Sequence, residues 1–164
     1  RVLDYCAGGG GKALALAARQ PGMHVSAHDV APARMADLPA RAARAGAKVQ
    51  IQTQPRGTFD LVVADVPCSG SGTWRRTPDA KWRLTAAQLC DLVALQARIL
   101  DQVAALVAPG GLLAYMTCSV FEAENGDQVD AFLSRHPGFR RIDQQAWTPL
   151  TGGDGFFLAQ LRQG

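Results

Sequence analysis

At 164 residues, with 48% hydrophobic side chains and a mean hydropathy of −0.02, the chain is one ordinary domain with enough apolar material for a real core. A net charge of +3, from 17 Lys and Arg against 14 Asp and Glu, permits a nucleic-acid partner without demanding one. No apolar run approaches the ~20 residues that span a bilayer, and four cysteines without Cys-x-x-Cys spacing argue against zinc and for reduced thiols in the cytoplasm.

The chain opens in a strand pattern, Val2-Leu3-Asp4-Tyr5-Cys6, with no signal peptide ahead of it, so it reads as a domain cut from a longer protein. Strands are predicted over 2–6, 23–28, 48–52, 59–64 and 111–117, and helices over 11–20, 32–45, 85–107 and 122–135. Thr85 is placed to cap the third helix, and Pro109-Gly110-Gly111 to end it. A segment around Ile142 and the run Phe156-Phe157-Leu158-Ala159-Gln160-Leu161 read as a closing hairpin. The alternation predicts an α/β fold with a mostly parallel sheet and an antiparallel closing hairpin.

After the first strand comes Cys6-Ala7-Gly8-Gly9-Gly10-Gly11-Lys12. Four consecutive glycines are entropically costly for a simple turn, and glycine lets the backbone approach a ligand at a helix N-terminus, so a nucleotide-type ligand is expected here. A P-loop is excluded because Cys6 stands for the first glycine and Ala13 for the magnesium-binding hydroxyl. Gly8-x-Gly10-x-x-Ala13 fits the loose dinucleotide fingerprint, which NAD and S-adenosylmethionine folds do not distinguish. Asp29, closing the second strand, is placed either to bind ribose hydroxyls or to cap the next helix.

Two further strands end in cysteine followed by serine, in Asp65-Val66-Pro67-Cys68-Ser69-Gly70-Ser71-Gly72 and in Thr117-Cys118-Ser119. The carboxyl ends of parallel strands are where ligands bind, so two thiols there point to covalent chemistry in one pocket. A phosphatase loop is discounted, because Cys-x5-Arg counted from Cys68 lands on Trp74. Cys6 and Cys90 read as small core residues. The segment 66–84, rich in Gly, Pro, Ser and Arg, reads as a long functional loop. Its Arg75, Arg76, Lys81 and Arg83 beside Trp74 and Trp82 suit single-stranded RNA. The competing reading is a solvated loop anchored to the core by Trp82. Arg135, His136, Arg140 and Arg141 read as a solvated helix end.

The motifs Asp4-Tyr5-Cys6-Ala7 with Gly10-Gly11-Lys12, Asp65-Val66-Pro67-Cys68-Ser69-Gly70-x-Gly72 and Thr117-Cys118-Ser119-x-x-x-x-Glu124-Asn125, in this order, resemble the Sun/Fmu family of RNA cytosine-5 methyltransferases. Arg75-Arg76-x-Pro78-Asp79-x-Lys81-Trp82 and Asp154-Gly155-Phe156-Phe157 resemble its bacterial small-subunit rRNA branch. The resemblance implies a Rossmann-like class I methyltransferase domain over 1–164, preceded in the parent protein by an RNA-binding region. It implies that Cys118 attacks cytosine C6, that Cys68 assists breakdown of the adduct, that Asp65 contacts the N3/N4 edge of the base, and that Lys12 lies near the reacting centre. S-adenosylmethionine would be held by Asp4, Cys6, Ala7, Gly8, Gly10, Gly11, Lys12, Asp29, Arg34, Asp65 and Pro67. RNA would be held by Arg75, Arg76, Lys81 and Trp82.

The chain departs from the family pattern in three places. Its glycine turn lacks the usual proline. Between Ala47 and Phe59 no acid is present to receive the adenine amino group, which leaves Gln52 or Gln54 as acceptors, and Gly126 replaces a second glutamate. Two rival functions are an NAD-dependent oxidoreductase and a non-catalytic RNA-binding module with a degenerate fold.

Overall fold

The computed structural model describes residues 1–20 and 22–164. Its strands are β1 (Val2–Asp4), β2 (Val25–Ala27), β3 (Val49–Ile51), β4 (Phe59–Asp65), β5 (Val107–Thr117), β6 (Phe139–Trp147) and β7 (Phe156–Gln163). They form one seven-stranded sheet in the order β3-β2-β1-β4-β5-β7-β6. The first five are parallel; β7 runs antiparallel between β5 and β6, as the expected closing hairpin. The strand order reverses between β1 and β4, which opens a crevice at their carboxyl ends.

Adjacent residues of β1 face opposite layers, so Val2 and Leu3 enter different cores. Val2 packs with Ala13, Val25, Met35 and Leu38 under α1 (Gly11–Arg19) and α2 (Leu38–Arg44). Leu3 packs with Val62, Leu100, Tyr115 and Phe132 under the helices that become α4 (Ala86–Ala104) and α5 (Gly126–Arg135). Thr85 does cap α4: its hydroxyl accepts Gln88 N–H at 3.2 Å while the Gln88 side chain accepts Thr85 N–H at 2.9 Å.

Three expected boundaries are corrected. The helix expected over 32–45 is a 3-10 turn, Pro32–Met35, followed by α2, with Pro39 in the first turn of α2. Proline lacks the N–H that a continuous helix would need there. The helix expected to reach 107 stops at Ala104, and Val107 already pairs with Phe59 as β5. The segment 66–84 is not structureless, since it holds a 3-10 turn at Ser71–Thr73 and a short helix α3 at Ala80–Arg83. Among the described residues no helix is long and apolar enough to cross a membrane.

Candidate active site

At the crevice β1 ends in Asp4, which is 1% exposed and whose two carboxylate oxygens have no hydrogen-bond partner among the described residues. Burial in this site raises its pKa from 3.8 to about 6. An orphaned carboxylate beside a glycine turn suits a ligand carrying a cationic or N–H group. Because its folded pKa lies above the ordinary one, the folded state holds the proton more tightly between those values. Stability therefore falls as pH rises from 3.8 to about 6, by about 3 kcal/mol. Asp4→Asn is expected to raise the melting temperature of the ligand-free protein at pH 7 and to leave it nearly unchanged near ~3.5, below both values. Equal effects at the two pH values would rule out this charge burial.

The glycine turn is held firmly without its proline. Gly8 and Gly10 have φ of 52° and 78°, a region that side chains disfavour, and a Cβ on Gly10 would meet Leu38 Cδ1 at 2.3 Å. Asp29, 2% exposed, accepts Gly8 N–H and Ala31 N–H, both at 2.9 Å, and pairs with Arg34 at 3.2 Å. Arg41 donates to the Gly9 carbonyl. The expected alternative of Asp29 as a helix cap is not met, since Ala31 precedes the 3-10 turn; Asp29 braces the glycine turn instead.

Two cavities meet along Cys6, Arg34 and Pro67. One, of about 390 Å³, runs from the glycine turn past Asp65 to Cys68 and Cys118. The other, of about 320 Å³, is lined by Tyr5, His28, Asp29, Val30 and residues of α4. Together they have the size of a small-cofactor site. Cys6, in the shared wall, has a pKa pushed up to about 12 by burial, so it stays a thiol. Neither Gln52 nor Gln54 lines the second cavity, which corrects their expected role. Gln52 turns its amide nitrogen to Ser26 Oγ at 2.9 Å, and α4 supplies Arg98 and Gln102 to the wall.

The two sulfurs meet. Cys68 Sγ lies 3.4 Å from Cys118 Sγ, beyond the last paired residues of β4 and β5, Asp65 and Met116. The hydrogen bond with Cys68 lowers the Cys118 pKa to about 7 against the opposing effects of burial and of Asp65. The same hydrogen bond, with burial, pushes the Cys68 thiol up. Lys12 Nζ is 2.5 Å from Asp65 Oδ2, which lines the cavity of the two sulfurs. Lys12 holds Asp65 at the mouth of the sulfur cavity.

Sequence reasoning assigned no role to Glu124, although it is fully buried. Its Oε1 accepts Ser69 N–H at 2.8 Å and Gln96 Nε2 at 2.9 Å; its Oε2 accepts the Ser69 and Ser119 hydroxyls, each at 2.5 Å. Gln96 Nε2 also donates to the Pro67 carbonyl at 2.9 Å. A signal existed: Gln96 falls on the stripe of α4 that carries Ile99, Leu100 and Val103, and a buried amide in an apolar stripe needs partners.

The arginine-tryptophan loop is pinned by Asp154, 2% exposed in its side chain, which receives Arg75 Nε at 2.5 Å and also Arg76. Gly72 packs backbone to backbone on Gly155, where an added Cβ would lie 2.2 Å from a carbonyl oxygen. Trp82 is 81% exposed with Lys81 over its ring at 4.8 Å, so it does not anchor the loop to the core. A groove of about 400 Å³ joins Cys68 and Ser69 to Ala80 and Arg83 of α3. Cys90 is exposed, which corrects its expected core placement. Arg135 and His136 pair with Asp101, and Arg141 with Asp130, as a solvated helix end would.

Residues 1–162 match the family model described as 16S rRNA methyltransferase RsmB/F. The chain is 37% identical to ribosomal RNA small subunit methyltransferase B of Salmonella arizonae, over 98% of this chain and 41% of that protein. It is 33% identical to the protein of the same description from Serratia proteamaculans, over 98% of this chain and 42% of that one. It therefore spans about two fifths of the length of these curated relatives. A methyltransferase homolog protein from Pyrococcus horikoshii shares the fold, with a TM-score of 0.84 at 23% identity, covering 99% of this chain and 61% of that one.

Proposed function

We propose, because the chain belongs to the 16S rRNA methyltransferase RsmB/F family, that it transfers a methyl group from S-adenosylmethionine to C5 of a cytosine in small-subunit rRNA. The observation that carries this reading is the contact between two strand-end sulfurs in the cavity that continues from the glycine turn. An oxidoreductase would leave that pair without a task.

The residues fit the cofactor. Asp4 offers an unpaired buried carboxylate, Gly8 and Gly10 let the backbone come close, and Asp29 sits where ribose hydroxyls bind. Arg34 and Pro67 wall the passage between the two cavities. S-adenosylmethionine, when bound, supplies an electrophilic methyl group.

Cytosine C5 is too weak a nucleophile to take that methyl unaided. Cys118 thiolate adds to C6, forming a C–S bond and pushing the ring electrons toward C5 and N3. Asp65, held by Lys12, stabilises the protonated N3/N4 edge as this charge develops. With the methyl group that bound S-adenosylmethionine would supply, C5 would carry one proton too many. Once Cys118 is a thioether, Cys68 no longer faces a thiolate, so part of what raised its pKa is gone. Cys68 then releases its own proton to solvent and, as thiolate, takes the C5 proton, while the C–S bond breaks to return Cys118 as thiolate. RNA would lie along the groove toward α3, with Arg83 in its wall for a phosphate and Trp82 and Lys81 beside it offering a stacking surface, while Arg75 and Arg76 hold the loop to Asp154.

The test is to map 5-methylcytosine in small-subunit rRNA from cells with and without the gene. Loss of one modified cytosine, restored by the full-length protein with S-adenosylmethionine in vitro, is the expected result. Unchanged maps would refute the reading.

A further inference from the structure

We propose that Glu124 is a positioning residue that fixes the separation of the two sulfurs, by clamping the segment that follows Cys68 to the segment that follows Cys118. The proposal rests on the two-thiol reading above. Cys68 and Cys118 lie past the end of the β4–β5 ladder, so strand pairing does not set their spacing. Two backbone bonds tie the flanking segments, Val66 N–H to the Met116 carbonyl at 3.1 Å and Gly72 N–H to the Cys118 carbonyl at 2.9 Å, and one carboxylate ties the residues next to the two cysteines. It receives the N–H and hydroxyl of Ser69, directly after Cys68, and the hydroxyl of Ser119, directly after Cys118. Through Gln96 it also holds the Pro67 carbonyl, directly before Cys68.

The proton directions are fully determined. A carboxylate only accepts, so both serines donate to it, and their oxygens then accept from elsewhere. Ser119 Oγ accepts Phe121 N–H at 3.0 Å and the Ser71 hydroxyl at 2.9 Å; Ser71 Oγ accepts Val120 N–H at 2.9 Å. All four donors to Glu124 are neutral. A buried carboxylate without a cation is tolerable only when such a set is complete. The clamp therefore has one low-energy geometry, and a few tenths of an ångström lost there separates the sulfurs.

The groups acting on Cys118 are Cys68, which stabilises its thiolate, and Asp65 and Glu124, whose negative charges oppose it. This gives the test a sign. Glu124→Gln removes a charge that disfavours the thiolate, so loss of charge alone would lower the pH at which Cys118 ionises. Loss of the clamp separates the sulfurs and raises it.

The measurement is the pH dependence of Cys118 alkylation by iodoacetamide in the full-length protein without RNA, followed by peptide mass spectrometry to tell Cys118 from every other cysteine. The wild-type midpoint is expected near about 7. In folded Glu124→Gln it rises, with about tenfold slower alkylation at pH 7 for each unit. Turnover falls while the dissociation constant of S-adenosylmethionine stays unchanged. An unchanged or lowered midpoint in the folded variant overturns the proposal. Should Glu124→Gln fail to fold, Ser119→Ala decides. It keeps the charge and removes one arm of the clamp, so it too must raise the midpoint, and no rise overturns the proposal. Because no RNA is present, a wrong cytosine assignment shows separately, as absent methyl transfer by the unmodified protein.

Discussion

Cys118→Ala is expected to abolish methyl transfer to rRNA, by a factor on the order of 10⁴–10⁶. Alanine cannot form the C–S bond that makes C5 nucleophilic, and no neighbour substitutes for it. Cys68 keeps its proton at neutral pH, and the Cys6 thiol is held up by burial at about 12. The proposed cofactor site lies against Asp4, Asp29 and the glycine turn, so the dissociation constant of S-adenosylmethionine should stay within about twofold, a change well under the 1.4 kcal/mol of a tenfold effect. The check is transfer of radiolabelled methyl to small-subunit rRNA, with calorimetric titration of the cofactor beside it. Wild-type rates in the variant would remove Cys118 from the nucleophile's role.

Cys68→Ala carries the opposite signature. Attack still occurs, and release stalls for want of a base, so a protein–RNA adduct that survives denaturation accumulates while turnover falls by about 10²–10⁴. A second effect follows from the same contact. Alanine donates no hydrogen bond, so the Cys118 pKa rises from about 7 toward its ordinary value. Adduct formation in the variant should therefore be slow at neutral pH and speed up at alkaline pH. Normal turnover without an adduct at either pH would show that Cys68 has no part in release.

Much of the fold was legible because strand and helix periods differ clearly in the outer elements. The parallel strands, the capped start of α4 and the final hairpin all follow from local pattern. The errors lie where two principles compete. Val103, Leu106 and Val107 continue a helical apolar spacing although the chain has already turned at Ala104, since an apolar run suits a buried strand equally. Pro39 was read as part of a helix whose first turn it opens.

The site was legible at the level of residue type and less so at the level of contact. Two cysteines at strand ends announced a shared pocket, and their spacing of 3.4 Å needed the fold. Arg75 and Arg76 announced a basic loop, yet their anchor Asp154 lies 78 or 79 positions away, where no local pattern reaches. Glu124 has no charge partner among the described residues and sits in no periodic stripe; Gln96 hints at a buried polar partner, and the four donors show what Glu124 holds.

The placement of β7 between β5 and β6 bears on biosynthesis. β6 precedes β7 in the chain, yet among the described residues its neighbour in the sheet is β7. Asp154, which pins the arginine loop, also comes late, just ahead of β7. A nascent chain can thus assemble the parallel strands and the crevice between β1 and β4 while the arginine loop is still unfastened from Asp154.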